Sequence, residues 1–444
     1  MRKIGLCLLI MVLASSAVFA AGRNDGGRTG GAATIRMSWW GGDNRHQAYL
    51  AAINVYEAKN PNVKFEAEYQ AWDGYQTKLW TQLASGAQAD IAQLDAPWFP
   101  ELSQMGDIFV DYYSQKILDL SGFDRDFMSF FGEWNGKLIG IPAGVNANTL
   151  LLNKSAADEL NLDLSEFWKE PFTFERFLEV GEALNKANPS KYLYTGNIGS
   201  YNALIRTRLK QLSGKQLYNP DFTLGFTEQQ LTLCFQFCVD MLDRGAGSPI
   251  QEAELFKGQI EQSPIWVNSN ALMAPDWASA VSRYQGTLPQ GKVVVTCRHP
   301  TDRNAVEKGS QIIRPNFMFS VKKASRYSDA ALEFLQWFFN SEEAAAPLSD
   351  TRGINVTEIQ RKKAIEAGVA NPESSKMVEI GMKFKLPDES PLTTNTELER
   401  VMMTQVSKVM YKQMTPAACA AETARLLTQK LAELKAAGFV SQPK

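Results

Sequence analysis

The chain is poor in the residues that most enzymes and metal proteins depend on. It has two histidines, His46 and His299, and five cysteines in 444 residues. A Ser-His-Asp or Cys-His arrangement would have to recruit one of those histidines, and neither lies in a nucleophile-elbow setting. No cysteine or histidine spacing fits a zinc site, and there is no P-loop, no G-x-G-x-x-G and no H-E-x-x-H. Cys234 and Cys238 stand at helical i,i+4 spacing on an apolar face and read as core thiols rather than a disulfide. Beyond the N-terminus no stretch approaches the roughly 20 apolar residues of a membrane helix. Charge of one sign is missing too. The net charge is −2, and loss of Arg2 and Lys3 with a leader would make it −4. No basic stripe for nucleic acid and no polybasic run for anionic lipid is present. Carboxylates are plentiful, so a glycosidase pair stays open as a rival, though none has a recognisable setting.

The first residues set the address. Arg2 and Lys3 precede an apolar run over 4–14, and Val18-Phe19-Ala20 follows as an A-x-A-like site. Together they predict a signal peptide over 1–20, cleaved after Ala20, and a periplasmic protein. Cys7 lies too early for a lipobox. Residues 21–33, rich in glycine and without large apolar side chains, read as a disordered leader. The remainder is long enough for two domains.

From residue 34 the periodicity alternates. A strand over 34–39 is followed by a helix over 46–59, with Tyr49, Leu50, Ile53 and Tyr56 on one face and Asn60-Pro61 as its stop. Residues 63–70 alternate apolar and polar, the mark of a half-buried strand. Asp73 is placed to cap a helix carrying Tyr75, Leu79 and Leu83, which Gly86 ends. A strand over 89–95 completes a β-α-β-α-β opening, hence a sheet with parallel strands covered by helices. Further on, Thr173 opens a helix, Thr227 and Gln230 form a capping box, and strands are expected over 271–274, 292–297 and 316–321. Helices follow over 328–340 and 416–437.

What the chain has in quantity is aromatic surface beside turn signals, with ten tryptophans and thirteen tyrosines. Trp39-Trp40-Gly41-Gly42-Asp43-Asn44-Arg45 follows the first strand, where open α/β sheets place their ligands. Trp39 continues the strand and reads as core. Trp40 offers a flat apolar face suited to the C–H face of a pyranose, and Asp43 and Arg45 an acceptor and a donor. The plainer reading is a helix N-terminus with a capping Asp43. Asp95 and Trp98 stand at the end of another strand, where the one can be an N-cap and the other helix packing. Asn146, in Gly144-Val145-Asn146, is a ligand contact or only a turn residue. Trp277, after Pro275-Asp276, repeats the strand-then-aromatic order. Trp72 and Tyr75 fit core and site equally.

These segments resemble, in order, the maltose-binding-protein-like family of bacterial extracellular solute-binding proteins that serve sugar ABC importers. The shared marks are strand–Trp40-Gly41-Gly42; Lys59-Asn60-Pro61-Asn62-Val63; Trp72-x-x-Tyr75-x-x-Lys78-Leu79; and Leu83-Ala84-Ser85-Gly86. Ala89-Asp90-Ile91, Gly136-Lys137-Leu138-Ile139-Gly140-Ile141-Pro142, Asn270-Ala271-Leu272-Met273 and Ala331-Leu332-Glu333-Phe334-Leu335 continue the series. The resemblance implies an α/β, two-lobed periplasmic-binding-protein fold (type II) with hinge crossovers. Its lobes are expected over 34–142 plus 299–340 and over 143–298 plus 341–444. It implies a mono- or oligosaccharide held between them without turnover or cofactor, and permease subunits in the inner membrane as partners of a monomeric receptor. Carried over by position, it places Trp40, Asp43, Arg45, Asp95, Trp98, Asn146, Trp277 and Arg352 at the ligand. Arg352 lies in a loop that commonly ends in proline, where this chain has Asn355. Two alternatives stand beside this reading: a receptor of the same fold for a non-sugar solute, and a secreted glycoside hydrolase.

Overall fold

A computed structural model describes residues 32–72, 74–256, 259–302, 312–349, 353–384 and 390–441. The expected signal peptide, most of the leader, the Asp73 cap and Arg352 lie outside the described residues.

The N-terminal lobe is built on the alternation read from the sequence. Strand β1 (Ala33–Trp40) leads through helix α1 (Asp43–Lys59) to β2 (Val63–Gln70), and helix α2 (Tyr75–Ala84) leads to β3 (Ile91–Leu94). β1 pairs in parallel with β2 and with β3, as βαβ units do. β2 is the outer strand of the sheet. Its residues Val63, Phe65 and Ala67 are therefore only half-buried, because no strand lies beyond them. α1 buries Tyr49, Ile53 and Tyr56, and α2 buries Tyr75, Leu79 and Leu83. After a small hairpin, β4 (Glu133–Trp134) and β5 (Lys137–Leu138), strand β6 (Ile141–Pro142) reaches the far edge of the first sheet.

The chain then enters a second sheet through β7 (Val145–Asn153), a strand buried along nearly its whole length. Its polar side chains survive burial because each has a partner. Asn146 Nδ2 donates to Ser279 Oγ at 2.8 Å, Thr149 Oγ1 donates to the Cys297 carbonyl, and Asn153 Nδ2 donates to Ser269 Oγ at 3.1 Å. β8 (Tyr192–Tyr194), β9 (Ala271–Trp277) and β10 (Val294–Cys297) complete this sheet in the order β10-β7-β9-β8. β11 (Ile313–Pro315) pairs with the first half of β7, and β12 (Met318–Val321) returns between β3 and β6. The chain thus crosses between sheets after β6 and again between β11 and β12, so Arg314 and Phe317 lie on a span joining the lobes.

Each sheet has its own apolar core. One gathers β1–β3, α1 and the helix Ser328–Asn340, and the other gathers β7–β10 and the helices Phe174–Ala187, Glu228–Asp243 and Pro416–Ala436. The Thr227–Gln230 capping box forms as expected, and Cys234 and Cys238 are buried free thiols. β9 departs from the expected 271–274. It continues through Pro275, Asp276 and Trp277, since β7 supplies a partner for every one of those residues. Pro275 is tolerated because β8 stops pairing at Met273, so a missing N–H on that side breaks no ladder. Among the described residues no helix is long and apolar enough to cross a membrane.

Candidate ligand-binding cleft

At the carboxyl ends of β1, β2 and β3 the rings of the N-terminal lobe meet. Successive side chains of a strand point to opposite faces, so Trp39 and Trp40 separate. Trp39 is fully buried against α1, its Nε1 donating to His46 Nδ1 at 3.1 Å and its ring stacking on Tyr69. Trp40 turns to the other face and touches Trp72, Tyr75, Trp98 and Phe317, with ring centroids 4.9–5.8 Å apart. Trp98 lies nearly parallel to both Trp72 (5.6 Å, 23°) and Tyr75 (6.4 Å, 19°). Trp40 and Trp98 are 8% and 7% exposed, whereas Trp72 is 47% exposed. Trp40 and Trp98 therefore form a floor, and the open indole of this edge is Trp72.

Around that floor stand the predicted polar residues. Gly42, not Asp43, occupies the cap position of α1. Asp43 is the first helical residue, exposed, where a carboxylate suits the positive helix end. Arg45 donates to the Trp40 carbonyl at 3.0 Å and lies 4.6 Å from the Phe317 ring centre, and burial lowers the pKa of its guanidinium. Asp95 precedes the short 3-10 turn Ala96–Trp98 but forms no helix-cap hydrogen bond. Burial raises its carboxyl pKa, against the pull of the nearby Arg314 charge.

In the C-terminal lobe Asn146 is a strand residue of β7 rather than a turn. Besides donating to Ser279 Oγ, it accepts from the Ser279 N–H at 3.2 Å and sits opposite Arg314. Trp277 ends β9, half-buried, opposite Asn148. The Arg314 guanidinium lies 4.4 Å from its ring centre. Asp276 fixes this strand end by accepting from the Trp277 N–H at 2.6 Å and from Arg283 at 2.9 Å, and Arg283 also pairs with the buried Glu261.

Arg314 is the residue that sequence reading missed. It faces Asp95 of one lobe and Trp277 of the other, and a cavity of about 50 Å³ lies beside it, lined also by Pro97, Phe131 and Ser390. The available signal was slight: a single exposed arginine between the buried Ile313 and Pro315. Neither histidine joins this site. His46 packs on Trp39, and His299 is buried with its Nε2 2.7 Å from Asn148 Oδ1. Among the described residues no group of three His, Cys, Asp or Glu side chains is placed to hold a metal ion. The arrangement is aromatic faces with a few charged and amide groups, the chemistry that recognises a hydroxyl-rich ring.

A family model described as bacterial extracellular solute-binding protein matches residues 51–372. Among solved structures, a periplasmic solute-binding protein from Pectobacterium atrosepticum SCRI1043 matches with a TM-score of 0.76 at 25% identity, over 90% of this chain and 99% of that one. A periplasmic oligogalacturonide-binding protein from Yersinia enterocolitica, in complex with saturated digalacturonic acid, gives 0.73 at 24% identity, over 90% and 99%. The sugar-binding protein MalE from Xanthomonas citri gives 0.70 at 16% identity, over 90% and 98%.

Proposed function

The chain belongs to the bacterial extracellular solute-binding protein family, and from that premise we propose that it is the periplasmic substrate-binding component of an ABC transporter. In this reading a mono- or oligosaccharide is captured between the lobes and delivered, unaltered, to permease subunits in the inner membrane. The observation that carries it is the setting of Arg314: its guanidinium lies over the half-buried Trp277 ring, opposite Asn146 and close enough to Asp95 to act on its charge. The oligogalacturonide- and sugar-binding neighbours point to the same ligand class.

Each group then has a task. Trp277 and Trp72, the latter on its floor of Trp98 and Trp40, cover the C–H faces of sugar rings. Asp95 and Asp43 accept from hydroxyls, while Arg45, Arg314 and Asn146 donate. Entry requires the lobes to part and capture requires them to close. Hydrogen bonds made on closure are shielded from water and so gain strength. Arg352 belongs to the proposed ligand set by position alone. A signal peptide cut after Ala20, a monomeric state and lobes divided at 142, 298 and 340 complete the proposal.

A thermal-shift screen against mono- and oligosaccharides tests it, since a bound ligand raises the melting temperature by mass action. Expected is a saturable shift with at least one saccharide and no release from chromogenic glycosides. No shift with any sugar, or steady glycoside turnover, would overturn the reading.

A further inference from the structure

The molecule holds a second cavity, larger than the one beside Arg314 and sharing no lining residue with it. We infer that it is a separate binding site for a small carboxylate with an apolar body, seated between the lobes against the Arg361 guanidinium. The site stands apart from the sugar-binding reading, and only its effect on the cleft rests on that reading.

Its walls and its charge carry the inference. The volume is about 280 Å³, near the lower end of the roughly 300–1,000 Å³ of small-molecule sites. The apolar walls come from both lobes. Phe127 and Met128 stand on the helix Arg125–Gly132, and Val356 packs on the first core. Val145 belongs to β7, and Met382 to the helix Pro372–Lys383, which packs on β7, β10 and β11. Into this setting the helix Glu358–Glu366 brings Arg361, whose Nη1 donates to the Asn355 and Val356 carbonyls at 2.9 and 2.8 Å. Those bonds fix the guanidinium but leave another edge unused. Its Nε is buried without a partner, and among the described residues no carboxylate forms an ion pair with it. Glu358 and Glu379 act on its charge without bonding it, and Glu358 is paired with Lys362 at 2.6 Å. Asp124, also on the wall, is committed to its helix, accepting from the Phe127 N–H at 2.7 Å. A buried donor left unpaired is costly, and a carboxylate answers a guanidinium edge with two parallel hydrogen bonds.

One helix joins this site to the cleft. The helix Arg125–Gly132 lines the larger cavity with Phe127 and Met128, and the cavity beside Arg314 with Phe130 and Phe131. The Phe127 and Phe131 rings touch, with centroids 5.1 Å apart. Pro142 and Val145, which flank the first crossing between the sheets, line the larger cavity too. Because its walls come from both lobes, the cavity keeps its shape in one arrangement of them. A carboxylate bound there favours that arrangement and so shifts the affinity of the cleft, and a bound sugar shifts the carboxylate's affinity by the same factor.

Calorimetric titration of the full chain with hexanoate, hexan-1-ol and hexylamine tests it, on wild type, Arg361→Lys and Met382→Trp. Expected is saturable hexanoate binding to wild type, with the alcohol and the amine at least about tenfold weaker. Arg361→Lys, which keeps the charge but loses the fork, should weaken hexanoate at least about fivefold. Met382→Trp, at a half-buried wall position, should abolish binding by filling the cavity. No saturable hexanoate binding up to about 10 mM, equal binding of hexan-1-ol, or unchanged hexanoate affinity in either folded variant would each overturn the inference. Melting temperatures show whether a variant folds, and the three probes on wild type decide the matter if one does not. Saturating hexanoate should also change the affinity for a bound saccharide at least about threefold, and an unchanged value would overturn the coupling. Failure to bind any saccharide is a different result, because it removes the sugar-binding reading and leaves the hexanoate result standing.

Discussion

Trp72 and Trp277 stand at carboxyl ends of strands in different lobes, and their supports differ in kind. Trp72 rests on rings: Trp98, Tyr75 and Trp40 beneath it form an apolar pile with its own core contacts. Trp277 rests on charges, with Arg314 over its face and Asp276 holding its N–H while Arg283 ties Asp276 to Glu261. Contacts between rings add about 0.5–1.5 kcal/mol per pair and do not depend on pH or salt. A cation over a ring is worth about 0.5–2 kcal/mol, more as water is excluded. The first lobe thus carries a platform that is fixed before ligand arrives. The second carries one whose support strengthens wherever water is excluded from it.

The comparison can be broken most sharply at Trp98. If it is floor rather than ligand contact, Trp98→Ala should cost about 3–5 kcal/mol of stability, measured by urea unfolding. Trp72→Ala, on the open face above it, loses two ring contacts and should cost less, about 1–3 kcal/mol. Similar losses for both would mean that the pile is not layered as described.

Acid should act on the C-terminal sheet first. Burial lowers the His299 pKa to about 4 from an ordinary value of 6.5, so the folded protein holds it neutral. The unfolded chain takes up that proton first, and the stability contributed above pH 6.5 is lost as pH falls from there to about 4. The loss is on the order of 3 kcal/mol. Because His299 bonds Asn148, which faces Trp277, acid should also weaken binding. Unfolding between pH 7 and 4 should be less steep in pH for His299→Gln, and parallel curves would count against this assignment.

Trp277→Ala should cost about 2 kcal/mol of binding or more while changing the ligand-free melting temperature little. Calorimetry and melts on the one variant separate an anchor from a core residue, for which the melting temperature would fall sharply at unchanged affinity. The smallest effect is expected at Asp95. Asp95→Asn keeps the shape but weakens one acceptor, costing about 1 kcal/mol of sugar affinity in the same titration. No change would place the carboxylate outside the ligand's reach.

Much of the N-terminal lobe was legible because its cues are local. The alternation over 63–70, the faces of α1 and α2, and Trp39 as core all follow from periods of 2 and 3.6. The two caps at Thr173 and Thr227 were equally readable, since each bond spans three residues. The C-terminal edge was less so. Pro275 suggested a strand ending at Ala274, because a sequence does not show which side of a strand lacks a partner. β11 is three residues long, and nothing near Arg314 signals what it meets. Trp40 and Trp98 do stand at strand ends, as read, but which ring of that cluster stays open was not readable.

By itself, then, the sequence determined the alternation of strands and helices, their caps, and the positions where aromatic residues leave the strands. All of these depend on neighbours within one or two turns of chain. Only the tertiary structure decided that Trp72 is the open ring, that Asn146 lies in a strand, and that Arg314 stands between Asp95 and Trp277. Those facts depend on which distant segments pack together, and a side chain's exposure or charge partner is a property of that packing rather than of its neighbours along the chain.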